Sequence, residues 1–516
     1  MADLREQCGL AAVHLFKPLR EQHLGKAAYY LYRMLLQQQN RGQLSAGIST
    51  FNAERNGLIE TRKELGLVND VFRANHAKKN KAILQQLSGS SGIGHVRYAT
   101  SGRDMVDYAM PFERVHGRKW KWFSFGFNGN LANFLELKKE LETANYNITR
   151  NVDSEVILHF IAKQLAGESR PGYKTAFGNL ATVFDGAYNL VYLNAEGTVI
   201  GLRDPMGFKP LSYASNGDKL LIASETSAFS GQGIEKINDV QPGEMVKVEN
   251  GAISVERFAK SKRTARCMFE WVYFANVSSV LDGKPVYDVR TALGNQLAKI
   301  ETEKISTDHI VVGVPDTGTP AAAAMAFALG APLKEGLIRN RYVGRTFIES
   351  TNRAEKVRDK YTLIKSVLKG KKVILVEDSI VRGTTTAGVV ERVKKEGKAK
   401  EVHVRISCPP IRYPCFYGID MSTLSELIMP KHSSYAMMDA GSKPVTEKEA
   451  NAVAKEIGAD SVIYQPIGGL VKSIGFMENE LCLACLNGCY PTECGKALLC
   501  RAVQQFKKGG KKRTYE

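Results

Sequence analysis

The sequence predicts two successive architectures: an α+β unit of layered strands and helices, then an α/β unit with a mainly parallel sheet. Three observations carry this. From residue 8 to about 258, short strand-like stretches are broken by frequent turn signals such as RNG, FNGN, FDG, NAEG, SNGD and VQPGE, the pattern of layered strands and helices. A basic, polar stretch at 259–266, AKSKRTAR, reads as a linker. Beyond it, DHIVVGVP, KKVILVED and KEVHVRIS are near-continuous apolar runs, separated by helical stretches such as VRTALGNQLAKIETEK and TTAGVVERVKKEG. That alternation indicates βαβ units with strands buried on both faces.

In the first unit, Cys8 and Gly9 open a buried strand (Leu10, Ala11, Ala12, Val13) behind seven mostly polar residues. YNLVYLN, TVIGLRD, KLLIAS and EMVKVE read as further strands, and helical patterns occupy 24–40 and 153–166. The near-apolar run 320–333 is too short for the roughly 18 residues of a membrane span and reads as a buried, Ala-rich helix. From about 471 the chain is Cys-rich, then basic.

A chain of 516 residues has room for about three domains. Lys and Arg number 71 against 53 Asp and Glu, an excess of +18. The excess suits an anionic partner (nucleic acid, phosphorylated metabolite or membrane surface) or plain solvation. Part of it sits in the tail FKKGGKKRTYE, which reads as a frayed terminus. The first 30 residues lack a basic start followed by an apolar core, so no secretory signal is read and a cytoplasmic protein is expected. Nine cysteines in such a chain point to metal ligation or catalysis rather than disulfides.

The strongest motif is VILVEDSIVRGTTT, residues 373–386. A buried strand ends in two carboxylates, Glu377 and Asp378; a Gly- and Thr-rich loop follows, and a helix begins. Helix N–H groups and threonine hydroxyls suit a monophosphate. The carboxylates suit a vicinal diol or a divalent metal. The plain alternative is an acidic strand end before a threonine-capped helix.

VEDSIVRGTTT resembles the phosphoribosyl-pyrophosphate motif of type I phosphoribosyltransferases, and Asp316, Thr317, Gly318 and Thr319 resemble the pyrophosphate-side loop of that fold. IRNRYVGRTFI (338–348), PPIRYPCFYGID (409–420) and IGADSVIY (457–464) narrow the resemblance to the amidophosphoribosyltransferase family, over nearly the whole chain from Cys8 to about 495. The resemblance implies an N-terminal-nucleophile glutaminase domain of αββα layers at 8–258. A type I phosphoribosyltransferase domain would follow at 267–470, then a Cys-rich segment with a basic tail at 471–516. It implies that Glu377 and Asp378 bind ribose hydroxyls and, with Thr317, a Mg²⁺ ion. Arg382, Gly383, Thr384, Thr385 and Thr386 would hold the 5-phosphate. Arg341, Tyr342 and Arg345 would sit on a closing loop. The family usually has two aspartates where Glu377 and Asp378 stand.

Read alone, Cys8 is a buried structural thiol. The resemblance makes it the glutaminase nucleophile, with its own α-amine, titrating near ~8, as base. Residues 1–7 then become a propeptide, because an amide at Cys8 is no base. Arg97, in GHVRYAT, would clamp the glutamine carboxylate. Asn128 and Gly129 would form the oxyanion pair, though NG is also a favoured hairpin turn. Asp153 would take the substrate ammonium. Three positions depart from the family: Leu44 stands where Glu is usual, Phe127 where His is usual, and Lys209 where Arg is usual.

Cys482 and Cys485 form a CxxC that fits a redox pair, half a zinc site or part of an iron–sulfur cluster. With Cys489 and Cys494 they also fit a local zinc knot. Resemblance to the iron–sulfur-containing branch implies instead a [4Fe–4S] cluster on Cys267, Cys415, Cys482 and Cys485, with Cys408 in the core. The expected activity is glutamine-dependent conversion of phosphoribosyl pyrophosphate to 5-phosphoribosylamine. Purine nucleotide feedback inhibitors and a homo-oligomer, a tetramer by resemblance, are also expected, with no nucleic-acid or membrane partner. The rivals are a paralogue with another acceptor and a non-catalytic regulator of the phosphoribosyltransferase fold.

Overall fold

The computed structural model describes residues 8–17, 26–98, 105–261, 263–340, 360–433 and 443–510. Strand Gly9–Leu15 lies inside a seven-stranded antiparallel sheet, between Ser91–Arg97 and Lys219–Ala223. Side chains alternate across it. Ala11, Val13 and Leu15 face Leu31, Met34 and Leu35 of helix Ala27–Gln37. Leu10 and Ala12 face the other way, onto Val191, Leu193 and Val199 of a second, six-stranded antiparallel sheet. That sheet repeats the rule, for Tyr188, Leu190 and Tyr192 turn outward to Val156, Phe160 and Phe177 of helices Asp153–Gln164 and Tyr173–Val183. Strands apolar on both faces thus need a partner sheet on one side and helices on the other, and αββα layering follows. The strands read from the sequence are present as Gly186–Asn194, Val199–Leu202, Lys219–Ala223 and Glu244–Glu249.

The second unit is a parallel sheet in the order His309–Gly313, Lys372–Glu377, Glu401–Ile406, Ser461–Tyr464. Ile374 and Val376 pack on Ala322, Met325 and Ala326 of helix Thr319–Leu329. Val373 and Leu375 face Val389, Val390 and Val393 of helix Thr384–Lys395. Helix Thr319–Leu329 is not buried all round as its composition suggests, since Phe327 is 91% exposed. It covers an outer face of the sheet, so only its inner side is packed. Strands Leu337–Arg339 and Tyr361–Leu363 form an antiparallel ribbon. Arg341, Tyr342 and Arg345 lie outside the described residues, as do residues 1–7 and the last six of the tail.

The Cys-rich segment is not a separate knot. Leu481–Cys482 pairs in parallel with Arg266–Cys267, placing Cys267 opposite Cys482. Helix Glu493–Lys507 reaches back to the first unit, where the Cys494 N–H donates to Asp185 Oδ2 at 3.2 Å. No helix among the described residues is long and apolar enough to cross a membrane.

Candidate functional site

Cys8 stands at the mouth of its strand in a narrow pocket with Arg97, Tyr98, Tyr108, Phe127, Gly129 and Asp153. Burial raises its thiol, opposed by the Tyr98 main-chain N–H and the Arg97 charge. Such a thiol stays protonated near neutrality and needs a base to react. Arg97 ends strand Ser91–Arg97 and lies over the Tyr108 ring at 5.8 Å. Asp153 opens its helix, and burial pushes it up to about 7 despite the N–H groups of Ser154 and Leu131 and the Arg97 charge.

Asn128 and Gly129 do not form a hairpin turn. They sit inside strand Phe123–Leu131, paired with Asn189 and Tyr188. Asn128 is 1% exposed, and its Nδ2 has no hydrogen-bond partner among the described residues. A buried amide donor left unmatched costs about 1–3 kcal/mol, so the position suits an oxygen brought by a ligand. Gly129 has φ +152°, and a Cβ there would lie 1.9 Å from the Ala187 carbonyl oxygen. His95, which sequence reasoning did not single out, ties the Arg97 strand to this one. Its Nε2 lies 2.9 Å from the Phe127 carbonyl oxygen, and burial lowers it to about 3, so it is a neutral donor. Of the departures, Leu44 is buried with its N–H on the Arg97 carbonyl at 3.0 Å. Phe127 is in the apolar core beside Cys8.

A second pocket, of about 370 Å³, opens at the carboxyl end of the parallel sheet and includes Asp316, Thr317, Glu377, Asp378 and residues 382–386, the switch-point position of open α/β sheets. Thr386 Oγ1 donates to Glu377 Oε2 at 2.8 Å. Ser379 Oγ donates to Asp378 Oδ1 at 2.6 Å, and Thr317 donates to Asp378 Oδ2. Burial raises Asp378, against these hydroxyls and the Arg290 charge. Two oriented carboxylates and a hydroxyl on an open pocket make an all-oxygen donor set, which suits a hard divalent cation. Gly383, at φ +79°, precedes the helix whose first turn is Thr384, Thr385 and Thr386.

Arg382 lines this pocket too, and its guanidinium donates to Glu426 Oε2 at 2.9 Å from Nε and to the Asp420 carbonyl oxygen at 2.9 Å from Nη2. Gly318 and Thr319 follow Thr317 directly, and a Cβ on Gly318 would meet the Val376 carbonyl oxygen at 2.6 Å. The structure adds Arg339, whose Nη1 donates to Asp316 at 2.7 Å. It also adds Arg290 and, from the first unit, Asn40 and Gln43. Arg339 lies in the IRNRYVGRTFI segment but was not singled out there, and nothing in the local sequence marked Asn40 or Arg290. Asn40 Nδ2 donates to the Phe274 carbonyl oxygen at 3.0 Å, and the buried Arg41 bridges Glu225 to Glu270 Oε2, at 2.7 Å from the latter. Arg203 grips Asp282 through two bonds of 2.6 and 2.8 Å.

Cys267, Cys415, Cys482 and Cys485 line one small cavity with Phe208, Lys209, Tyr417 and Tyr490. Cys489 and Cys500 are exposed and Cys494 half-buried, none on this cavity, so the local zinc knot is not formed. Among the described residues, the one group of three or more His, Cys, Asp or Glu whose ligand atoms all lie within 4.8 Å is Glu303, His309 and His403. The four sulfurs are therefore spread wider than a single zinc requires, where sulfurs sit about 3.8 Å apart on bonds of about 2.3 Å. Lys209 is wholly buried and its Nζ has no hydrogen-bond partner among the described residues. Its charge lowers Cys267, Cys415 and Cys482 against their burial. An orphaned ammonium facing four thiols fits an anionic polynuclear group on thiolates.

Comparison with known proteins agrees with this division. Residues 112–231 match the profile of a glutamine amidotransferase domain and residues 284–412 that of a phosphoribosyl transferase domain. The chain is 39% identical over 494 residues to the amidophosphoribosyltransferase of Methanothermobacter thermautotrophicus, covering 95% of this chain and 96% of the relative. Identity to the Bacillus subtilis amidophosphoribosyltransferase is 36% over 499 residues, 95% of each. The solved B. subtilis glutamine phosphoribosylpyrophosphate amidotransferase, complexed with ADP and GMP, superposes with a TM-score of 0.79 at 35% identity, covering 94% of this chain and 98% of that one.

Proposed function

The chain belongs to the amidophosphoribosyltransferase family, and from that premise we propose how its residues divide the work. The reaction converts phosphoribosyl pyrophosphate, glutamine and water to 5-phosphoribosylamine, glutamate and pyrophosphate, the first step of purine biosynthesis. Cys8 Sγ attacks the glutamine side-chain amide, and its proton passes by way of the α-amine to the departing ammonia. This needs the bond between Gln7 and Cys8 to be cut, so residues 1–7 are a propeptide. Asn128 Nδ2 and the Gly129 N–H hold the tetrahedral oxyanion. Arg97 clamps the substrate carboxylate, and Asp153, ionised by the incoming charge, takes its ammonium. Water then cleaves the thioester to glutamate.

Ammonia passes to the second pocket and displaces pyrophosphate at the ribose anomeric carbon. Glu377 and Asp378 hold the ribose hydroxyls; residues 382–386 bind the 5-phosphate, with main-chain N–H groups and threonine hydroxyls as donors. Asp316 and Thr317 stand on the pyrophosphate side, with Gly318 and Thr319 supporting them, and Arg341, Tyr342 and Arg345 belong to a closing loop. The phosphoribosyl transferase domain implies use of Mg²⁺; Thr317, Glu377 and Asp378 would hold it, and it supplies neutralisation of the leaving pyrophosphate. Cys267, Cys415, Cys482 and Cys485 would hold a [4Fe–4S] cluster, which ties the C-terminal segment to the transferase unit.

We divide the chain at 8–258, 267–470 and 471–516. By analogy with the ADP- and GMP-bound B. subtilis enzyme, purine nucleotides are the feedback ligands, and the working form is a cytoplasmic homo-oligomer. The observation that carries the coupled function is that Asn40 and Gln43 of the glutaminase unit line the phosphoribosyl pocket. The test is simultaneous assay of glutamate and pyrophosphate, expected in equal amounts. Glutamate release without pyrophosphate release dependent on phosphoribosyl pyrophosphate would sink the reading.

A further inference from the structure

The strand carrying Asn128 and Gly129 is held from two sides. One is its own sheet, through Gly186–Asn194. The other is a loop of the second unit, residues 414–418, which carries Cys415. Asn130, 6% exposed, donates its Nδ2 to the Phe416 carbonyl oxygen at 3.0 Å. Gly418 has φ +102° and lies so near that a Cβ there would sit 3.0 Å from the Gly129 carbonyl carbon and 3.1 Å from its oxygen. The loop is itself pinned. The Cys415 N–H donates to the Met421 carbonyl oxygen at 2.8 Å, the Tyr490 hydroxyl to the Pro414 carbonyl oxygen at 2.5 Å, and Tyr417 stacks on Phe208 of the first unit at 4.4 Å.

These contacts meet a physical need. Gly129 has no side chain to anchor its peptide, and a glycine at positive φ tolerates wide rotation. An oxyanion donor, however, acts only when aimed to within a fraction of an ångström. The neighbouring Gly418 backbone and the Asn130 bond fix the strand where the glycine would leave it free. We propose that residues 416–418 are a positioning element for glutamine hydrolysis, with Gly418 and Asn130 holding the Asn128 and Gly129 donors in place. This rests on the reading of Asn128 and Gly129 as the oxyanion pair. Gly418 and Asn130 touch no substrate. Because Cys415 belongs to the same loop, the four-cysteine cavity of one unit is joined mechanically to the glutaminase site of the other.

The test uses the full-length enzyme with iron content measured throughout. Gly418→Ala is expected to lower kcat for glutamine hydrolysis about tenfold or more, and Asn130→Ala by a smaller factor. The KM for glutamine should stay within about twofold, because Arg97 and Asp153 are untouched. Ammonia-dependent synthesis and iron per chain should match wild type. Asn128→Ala serves as the benchmark, with an expected loss of about 10²–10³ in kcat. If that benchmark falls while Gly418→Ala and Asn130→Ala both keep wild-type kcat, the positioning role is overturned and the oxyanion reading stands. If Asn128→Ala keeps its kcat, both fall together. Equal loss of glutamine- and ammonia-dependent turnover in the two variants would mark a general structural role and overturn the proposal.

Discussion

The two reaction pockets keep their polar groups in opposite ways. Around Cys8 the cavity is about 20 Å³, the Asn128 amide donor has no partner among the described residues, and the Asp153 carboxyl is pushed up to about 7. Around Glu377 and Asp378 the cavity is about 370 Å³, and each carboxylate is already hydrogen-bonded to a threonine or serine hydroxyl. A narrow pocket holds little water, so each group in it is tuned to one atom of one small ligand. A wide pocket admits more water, so its groups are oriented by neighbours and serve a larger, polyanionic ligand. The first pocket must widen to admit glutamine; the second is already large enough for a sugar phosphate.

The comparison breaks most sharply at its two extremes. Cys8→Ser is expected to lower glutamine-dependent synthesis roughly 10³-fold or more while ammonia-dependent synthesis continues; loss of both would mean that the pockets are not separable. N-terminal sequencing of the active enzyme should begin at Cys8. Asp378→Asn is expected to cost about a hundredfold in synthesis from either nitrogen source, with basal glutaminase activity retained.

The pH dependence sharpens the contrast further. Asp153 is neutral below about 7 in the free enzyme, yet glutamine's ammonium needs its carboxylate form. kcat/KM for glutamine should therefore fall more steeply below about pH 7 than the roughly tenfold per unit that protonation of the Cys8 α-amine, titrating near ~8, gives alone, and Asp153→Asn should leave only the α-amine's limb. Arg97, the other charged group facing Asp153, stays cationic throughout. Ammonia-dependent kcat/KM, corrected for the free-base fraction, should lack the limb, since neither Asp153 nor the Cys8 α-amine takes part in that reaction. The smallest effect expected is at Lys209. Lys209→Met removes a buried amine with no hydrogen-bond partner among the described residues, so the metal-free protein should gain about 1–4 kcal/mol in stability. The same variant should retain less iron, because the countercharge to four thiolates is gone. Thermal melts and iron analysis check the two signs together.

Legibility in the sequence follows the same divide. VILVEDSIVRGTTT was readable because strand, carboxylates, loop and helix are contiguous, and backbone geometry alone brings them to one end of the sheet. Cys8, Asn128 and Asp153 were readable by resemblance, yet NG read as a turn lies mid-strand, because the register with Gly186–Asn194 overrides the local preference. Arg382 was placed at the pocket by its neighbours in the motif, but its partner Glu426, distant in sequence, left no local sign. Asn40 and Arg290 carried no signal, since their place in the pocket depends on how separate elements pack.

What the sequence determined by itself is the layering and the local motifs. Strands apolar on both faces require cover on both sides, and a Gly- and Thr-rich turn after a buried strand presents main-chain N–H groups wherever that strand ends. Only the tertiary structure decided which surfaces meet. The convergence of cysteines from three distant segments, the burial of Lys209 among them, and the contact of Gly418 with Gly129 arise from one unit docking on the other. Long-range docking depends on the shapes of finished faces, which no short period in the chain records.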